Sequence, residues 1–173
     1  EYVRSRGIGF ASAPGSNANS VAEYMIAGLF LLGRKFGFRL RGTTLGVVGV
    51  GNIGSRVVRI AEALGMRVLQ NDPPRARSTD VSPFVPLDDL IRADIVTLHV
   101  PLTRQGEDAT YHLFDANRIG RMKRGAILVN TSRGAVVDTA ALKEALASGH
   151  LAAAMLDVWE HEPAIDVELM SMS

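Results

Sequence analysis

Between residues 45 and 72 the chain passes from a short apolar run through a glycine-spaced turn into a stretch of helical period, and out to an acid. Thr44-Leu45-Gly46-Val47-Val48 is apolar and β-branched enough for a buried parallel strand. The turn reads Gly49-Val50-Gly51-Asn52-Ile53-Gly54. Beyond it, positions 57, 58, 60, 61 and 64 are apolar and line one face of a helix. Gly65 ends that helix, and Met66-Arg67-Val68-Leu69-Gln70-Asn71-Asp72 reads as the next strand.

Each part of this order has a physical use. The first glycine lets the chain turn sharply, the second lets a diphosphate approach the backbone, and the third lets helix and strand pack closely. Unpaired N–H groups and the positive end of the helix dipole then face the phosphates. Gly49, Gly51, Asn52, Ile53 and Gly54 are therefore expected to bind a dinucleotide. Asp72, eighteen positions after Gly54, stands where a carboxylate accepts from both adenosine-ribose hydroxyls. Glycines alone also fit a tight strand-to-helix turn with no ligand; strand, glycines, helix, strand and acid in sequence favour the dinucleotide. Arg75 is placed to reach a ribose 2′-phosphate, but Asp72 would repel that phosphate, so NAD is expected rather than NADP.

The flanking sequence extends the pattern. Residues 1–13 read as the tail of a substrate domain largely missing from the chain, with Gly7-Ile8-Gly9-Phe10-Ala11 as a short strand. Asn19 or Ser20 is expected to cap a helix from Val21 to about Phe36. That helix has almost no wet face, so residues 14–40 are expected to link domains and contact a second subunit. Pro73-Pro74-Arg75-Ala76-Arg77 reads as a loop, and residues 87–92 as a short helix. A strand follows over residues 94–100, then an Asp115-capped helix, a strand at 125–130, a helix from Asp138 to Ser148 ended by Gly149, and a strand at 152–156. This rhythm predicts an α/β fold: a doubly wound parallel sheet of Rossmann type over residues 41–173. Ligands bind such sheets beyond the carboxyl ends of the strands. Residues 49–54, Asp72, His99, Val100, Pro101, Thr131, Ser132, Arg133 and Asp157 are thus expected to border one crevice.

Composition narrows the partners. A net charge of +1 with no basic cluster argues against nucleic acid. The absence of cysteine removes disulfides and thiolate metal sites, and fits a cytoplasmic protein. The longest apolar stretch, residues 21–33, is interrupted by Glu23 and is too short for a membrane span. An opening Glu1 rather than Met predicts a fragment or a processed chain.

Four motifs in order make the chain recognisable. They are the glycine turn with Asp72; His99-Val100-Pro101-Leu102-Thr103; Asn130-Thr131-Ser132-Arg133-Gly134-Ala135-Val136-Val137-Asp138; and Leu156-Asp157-Val158-Trp159-Glu160-His161-Glu162-Pro163. Together they resemble the D-isomer-specific 2-hydroxyacid dehydrogenases. Four shorter stretches look most like the branch that oxidises a phosphorylated sugar acid in pyridoxal 5′-phosphate synthesis. These are Ser12-Ala13-Pro14-Gly15, Asp72-Pro73-Pro74-Arg75, Gly106-Glu107-Asp108-Ala109-Thr110-Tyr111-His112-Leu113 and Asp157-Val158-Trp159-Glu160.

The resemblance implies roles. Arg133 matches the arginine that binds the substrate carboxylate, where a planar fork suits bidentate contact. Glu162 matches the acid that orients the catalytic histidine and raises its basicity. Asp157 matches the residue that holds the nicotinamide carboxamide. Outside such motifs, Arg133 would read as a surface arginine and Glu162 as a solvated turn residue.

The family's catalytic histidine falls beyond Ser173, so this chain is expected to be inactive by itself. His99 belongs to the cofactor side, His112 and His150 read as surface loop residues, and His161 sits between two glutamates. Other readings are a non-catalytic dinucleotide-sensing module and a glyoxylate or hydroxypyruvate reductase fragment. The family also implies a homodimer.

Overall fold

The computed structural model describes residues 2–79 and 83–172. In chain order the elements are α1 (Tyr2–Ser5), α2 (Ala18–Phe36), β1 (Thr44–Val48), α3 (Gly54–Ala63), β2 (Arg67–Asn71), α4 (Pro73–Ala76) and α5 (Leu87–Leu90). There follow β3 (Ile95–Leu98), α6 (Ala116–Gly120), β4 (Ala126–Asn130), a 3-10 turn (Gly134–Val136), α7 (Thr139–Ala147), β5 (Leu151–Leu156) and α8 (Val167–Ser171).

All five strands are parallel, in the order β2-β1-β3-β4-β5. Outside β2, among the described residues, a parallel bridge from Gln70 to Phe84 marks where one further strand position begins. Counting it, the sheet follows the dinucleotide-binding strand order. The β-period of two divides the core, except that a register shift between Ala126 and Ile127 in the β4–β5 pairing puts Leu151 and Ala153 on opposite sides. Leu45, Val47, Ile95, Ile127, Val129 and Ala153 face α2 and α3, whereas Val48, Val96, Leu98, Ala126, Leu128 and Leu151 face α5, α6 and α7. Both sheet faces are covered, which is why the strands lack polar alternation.

Three expectations are corrected. No strand forms at residues 7–11: Gly7 has φ 66 and residues 8–13 take no regular structure, with no neighbouring strand to pair with. Helix α2 starts at Ala18, with Asn17 flanking it and no side-chain cap; Asn19 instead accepts from the Arg56 guanidinium. Ala18 and Ala22 are fully buried, so packing outweighs capping at this start. Residues 73–76 form a helical turn, not a loop, because Asp72 accepts from Arg75 N at 3.2 Å and Pro73 occupies the first helical position.

Helix α2 ends as expected, with Gly37 in the left-handed region. Its inner face is Ala22, Met25, Ile26, Leu29 and Gly33, while Phe30 and Leu31 stay 54% and 69% exposed. Among the described residues, no helix is long and apolar enough to cross a membrane.

Candidate cofactor site

The carboxyl ends of β1, β2 and β3 converge on the glycine turn. At Gly49 (φ +84) a Cβ would lie 2.6 Å from the His99 carbonyl oxygen, and at Gly54 one would lie 2.0 Å from the Gly49 carbonyl oxygen. The protein's own packing requires both glycines. Gly51 differs: a Cβ there would meet nothing within 4 Å, so this glycine leaves room for a ligand rather than for the fold.

The turn is held from β2. Asp72 Oδ2 accepts from Val50 N at 2.8 Å, and the Arg75 guanidinium donates to the Val50 carbonyl. Arg75 also lies 5.8 Å from the centre of the Phe84 ring. Its guanidinium is thus directed at the turn, in keeping with the expectation of NAD over a 2′-phosphate. Among the described residues, the amides of Asn52, Ile53 and Gly54 make no hydrogen bond, leaving the start of α3 open to an anion. A diphosphate beside Gly51 fits this donor set.

A cavity of about 420 Å³ opens next to the turn, lined by Gly49, Gly51, Asp72, His99, Val100 and Pro101, with Pro73, Pro74 and the 107–110 segment opposite. Its wall is mostly apolar with Asp72 at the edge, which suits an adenosine half. His99 Nε2 lies 3.0 Å from Thr97 Oγ1 and Nδ1 lies 3.4 Å from Thr131 Oγ1. Burial pushes its pKa down from 6.5 to about 4, so the ring is neutral at ordinary pH.

Thr131, Ser132, Arg133 and Asp157 are not among the residues lining this cavity, but Thr131 Oγ1 stands 3.4 Å from the His99 ring, which is. All four follow the carboxyl ends of β4 and β5, on the same edge of the parallel sheet as the glycine turn. Asn130 shapes the chain after β4. Its Oδ1 accepts from Ser132 N at 3.1 Å and Ser132 Oγ at 2.8 Å, and its Nδ2 donates to the Arg133 carbonyl at 2.9 Å. Thr131 and Ser132 are buried, while Arg133 is exposed and donates to the Ser132 carbonyl at 2.7 Å. Asp157 N bonds the Asn130 carbonyl at 3.0 Å, leaving the exposed Asp157 at the mouth. Glu162 Oε1 accepts from Trp159 N at 2.7 Å, and none of the hydrogen bonds of the histidines runs to it.

Two of the histidines expected in surface loops lie in loops, partly exposed, and make specific contacts there. His150 Nε2 meets the Ile119 carbonyl at 3.0 Å. His112, with φ 48, stacks on Tyr111 and bonds Glu160, while Asp138 stands 3.8 Å from its other ring nitrogen. Glu160 also accepts from Thr139 N at 3.0 Å, where α7 starts. Burial pushes the Glu160 carboxyl up, but these bonds outweigh it and hold it below the usual range. The arrangement ties the 157–162 segment to the loop before α6. Nothing local announces a contact across 48 positions.

Residues 17–173 match the family described as D-isomer specific 2-hydroxyacid dehydrogenase, NAD binding domain. Erythronate-4-phosphate dehydrogenase of Salinibacter ruber is 55% identical, over 98% of this chain and 45% of its own length. It belongs to the branch to which the four short stretches point. The NAD-dependent formate dehydrogenase of Staphylococcus aureus, solved in complex with NAD, is 33% identical with a TM-score of 0.81, over 96% of this chain and 56% of that one. D-lactate dehydrogenase of Aquifex aeolicus, solved with NAD and lactic acid, is 35% identical with a TM-score of 0.75, over 93% and 54%. The chain spans about half the length of the curated relatives it matches. By sheet order, glycine turn and sequence alike, the chain belongs to the D-isomer specific 2-hydroxyacid dehydrogenases, in which it corresponds to the NAD-binding domain.

Proposed function

We propose that the chain is the NAD-binding half of a cytoplasmic erythronate-4-phosphate dehydrogenase of pyridoxine biosynthesis. The observation that carries this reading is the empty space at Gly51 beside a turn clamped by Asp72. NAD, when bound, supplies the acceptor for the hydride that leaves C2 of the hydroxy acid. Gly51, Asn52, Ile53 and Gly54 hold the diphosphate through their backbone, while Gly49, whose N–H is bonded to the Asn71 carbonyl, shapes the turn. Asp72 keeps lone pairs for the adenosine ribose, and His99, Val100 and Pro101 wall the adenosine. Thr131, Ser132 and Asp157 orient the nicotinamide end. Arg133 takes the substrate carboxylate, for which its exposed fork is free to swing from the Ser132 carbonyl. Glu162 serves as the partner of a histidine base.

Among the described residues no histidine hydrogen-bonds Glu162, which supports a chain without an assembled base. The protein is expected to bind NADH and to give no turnover with erythronate 4-phosphate. Fluorescence titration and a hydride-transfer assay check the two halves separately. Absence of NADH binding by folded protein would overturn the whole reading, whereas appreciable turnover would overturn only the inactivity.

The exposed Phe30 and Leu31 on α2, with Tyr24 and Phe36 nearby, support a homodimer through this helix. Sedimentation at micromolar concentration is expected to show a dimer that Leu31→Glu dissociates. A monomer before substitution would count against that interface.

A further inference from the structure

Choice between NAD and NADP depends on what meets a 2′-phosphate, and more than Asp72 is set against it here. Asp72, Glu107 and Asp108 all line the cofactor cavity, and no arginine or lysine is among its described lining residues. Arg75 is spent on the Val50 carbonyl and the Phe84 ring. Arg104 lies 4.1 Å from the centre of the Tyr111 ring. Arg77 forks onto Asp108, with Nη1 to Oδ1 at 3.2 Å and Nη2 to Oδ2, and Glu107 stands 3.9 Å from the same guanidinium. That fork is a strong hydrogen-bonding geometry. Arg77 is half exposed, so the pair adds little to stability; its effect is on where the charge points.

We propose that Asp108 is a second specificity-determining residue, which by holding Arg77 withholds from the cavity the cation a 2′-phosphate would need. The inference rests on the NAD reading above and deepens it. Removing the Asp72 charge alone leaves two acids at the lip and no cation turned toward the cavity. Removing Asp108 subtracts one acid and releases Arg77 in the same step. Cofactor choice is therefore shared between the end of β2 and a loop more than thirty positions away.

The test is fluorescence titration of the 173-residue protein with NADH and with NADPH, in the wild type and in Asp108→Ala, Arg77→Ala and the double variant. In Asp108→Ala the ratio of NADPH to NADH affinity is expected to rise about tenfold, the worth of one charge-assisted hydrogen bond. In Arg77→Ala/Asp108→Ala that gain is expected to vanish. Arg77→Ala alone, which keeps both acids, is expected to lower the ratio below the wild type's, and it decides the matter if Asp108→Ala unfolds. An unchanged ratio in Asp108→Ala, a gain that survives loss of Arg77, or an unchanged ratio in Arg77→Ala would each overturn the proposal. Failure of the wild type to bind NADH would sink the NAD reading instead, so the two failures are distinguishable.

Discussion

Gly54→Ala is expected to abolish NADH binding and to destabilise the fold by about 1–3 kcal/mol, the range for forcing an extra methyl into a packed site. Its Cβ would stand 2.0 Å from the Gly49 carbonyl oxygen, which is backbone and cannot swing aside. The turn and the start of α3 would have to separate, moving the amides that face the diphosphate. Gly51→Ala supplies the contrast. Its added methyl meets no protein atom within 4 Å, and Gly51 is not in the left-handed region, so stability is expected to hold. NADH affinity is nonetheless expected to fall, by about tenfold or more, because the methyl fills the space left for the ligand. Thermal unfolding and NADH titration on the two variants separate the roles. Wild-type affinity in Gly51→Ala would show that the space beside it is not where the diphosphate lies.

Acid is expected to cost the fold up to about 3 kcal/mol between pH 6.5 and pH 4, through His99 alone. The sign follows from proton uptake. The folded ring, partly buried between Thr97 and Thr131, resists protonation until about pH 4, while the unfolded ring takes its proton near 6.5. Across that window the unfolded state binds more protons, so stability rises with pH and is complete above 6.5. Asp94, Glu160 and Asp166 are held below their ordinary carboxylate range, so their stabilising share is lost only at lower pH, as they titrate. His99→Gln keeps polar atoms for both threonines and cannot charge. Denaturant midpoints measured at pH 7, 5.5 and 4.5 are expected to fall in the wild type and to stay nearly level in the variant. Equal slopes for the two proteins would assign the acid sensitivity elsewhere.

The same residues mark the boundary between what was legible in the chain and what was not. The unit from β1 through α3 to β2 could be read from order alone. Its signals are local: β-branched run, glycine spacing, helical period and terminal acid all lie within 28 positions. The Asp115 cap was equally legible, because a cap reaches only two or three residues ahead, and so was the acid that opens α7, which the structure shows to be a cap as well. The α2 start was not, because burial of Ala18 outweighs the polar caps that the sequence offers one and two positions later.

By itself the amino-acid sequence determined the strand and helix rhythm, the glycine turn and the acid after β2, since each depends on backbone sterics within a few residues. Tertiary structure alone decided how the polar side chains are spent. Asp72 and Arg75 grip Val50 from 22 and 25 positions away, Arg77 forks onto Asp108 across 31, and Glu160 reaches His112 across 48. Such contacts follow from sheet order and loop closure, which bring distant segments together without leaving a periodic trace. A charged side chain has many reachable partners in an unfolded chain; only the assembled sheet leaves it one.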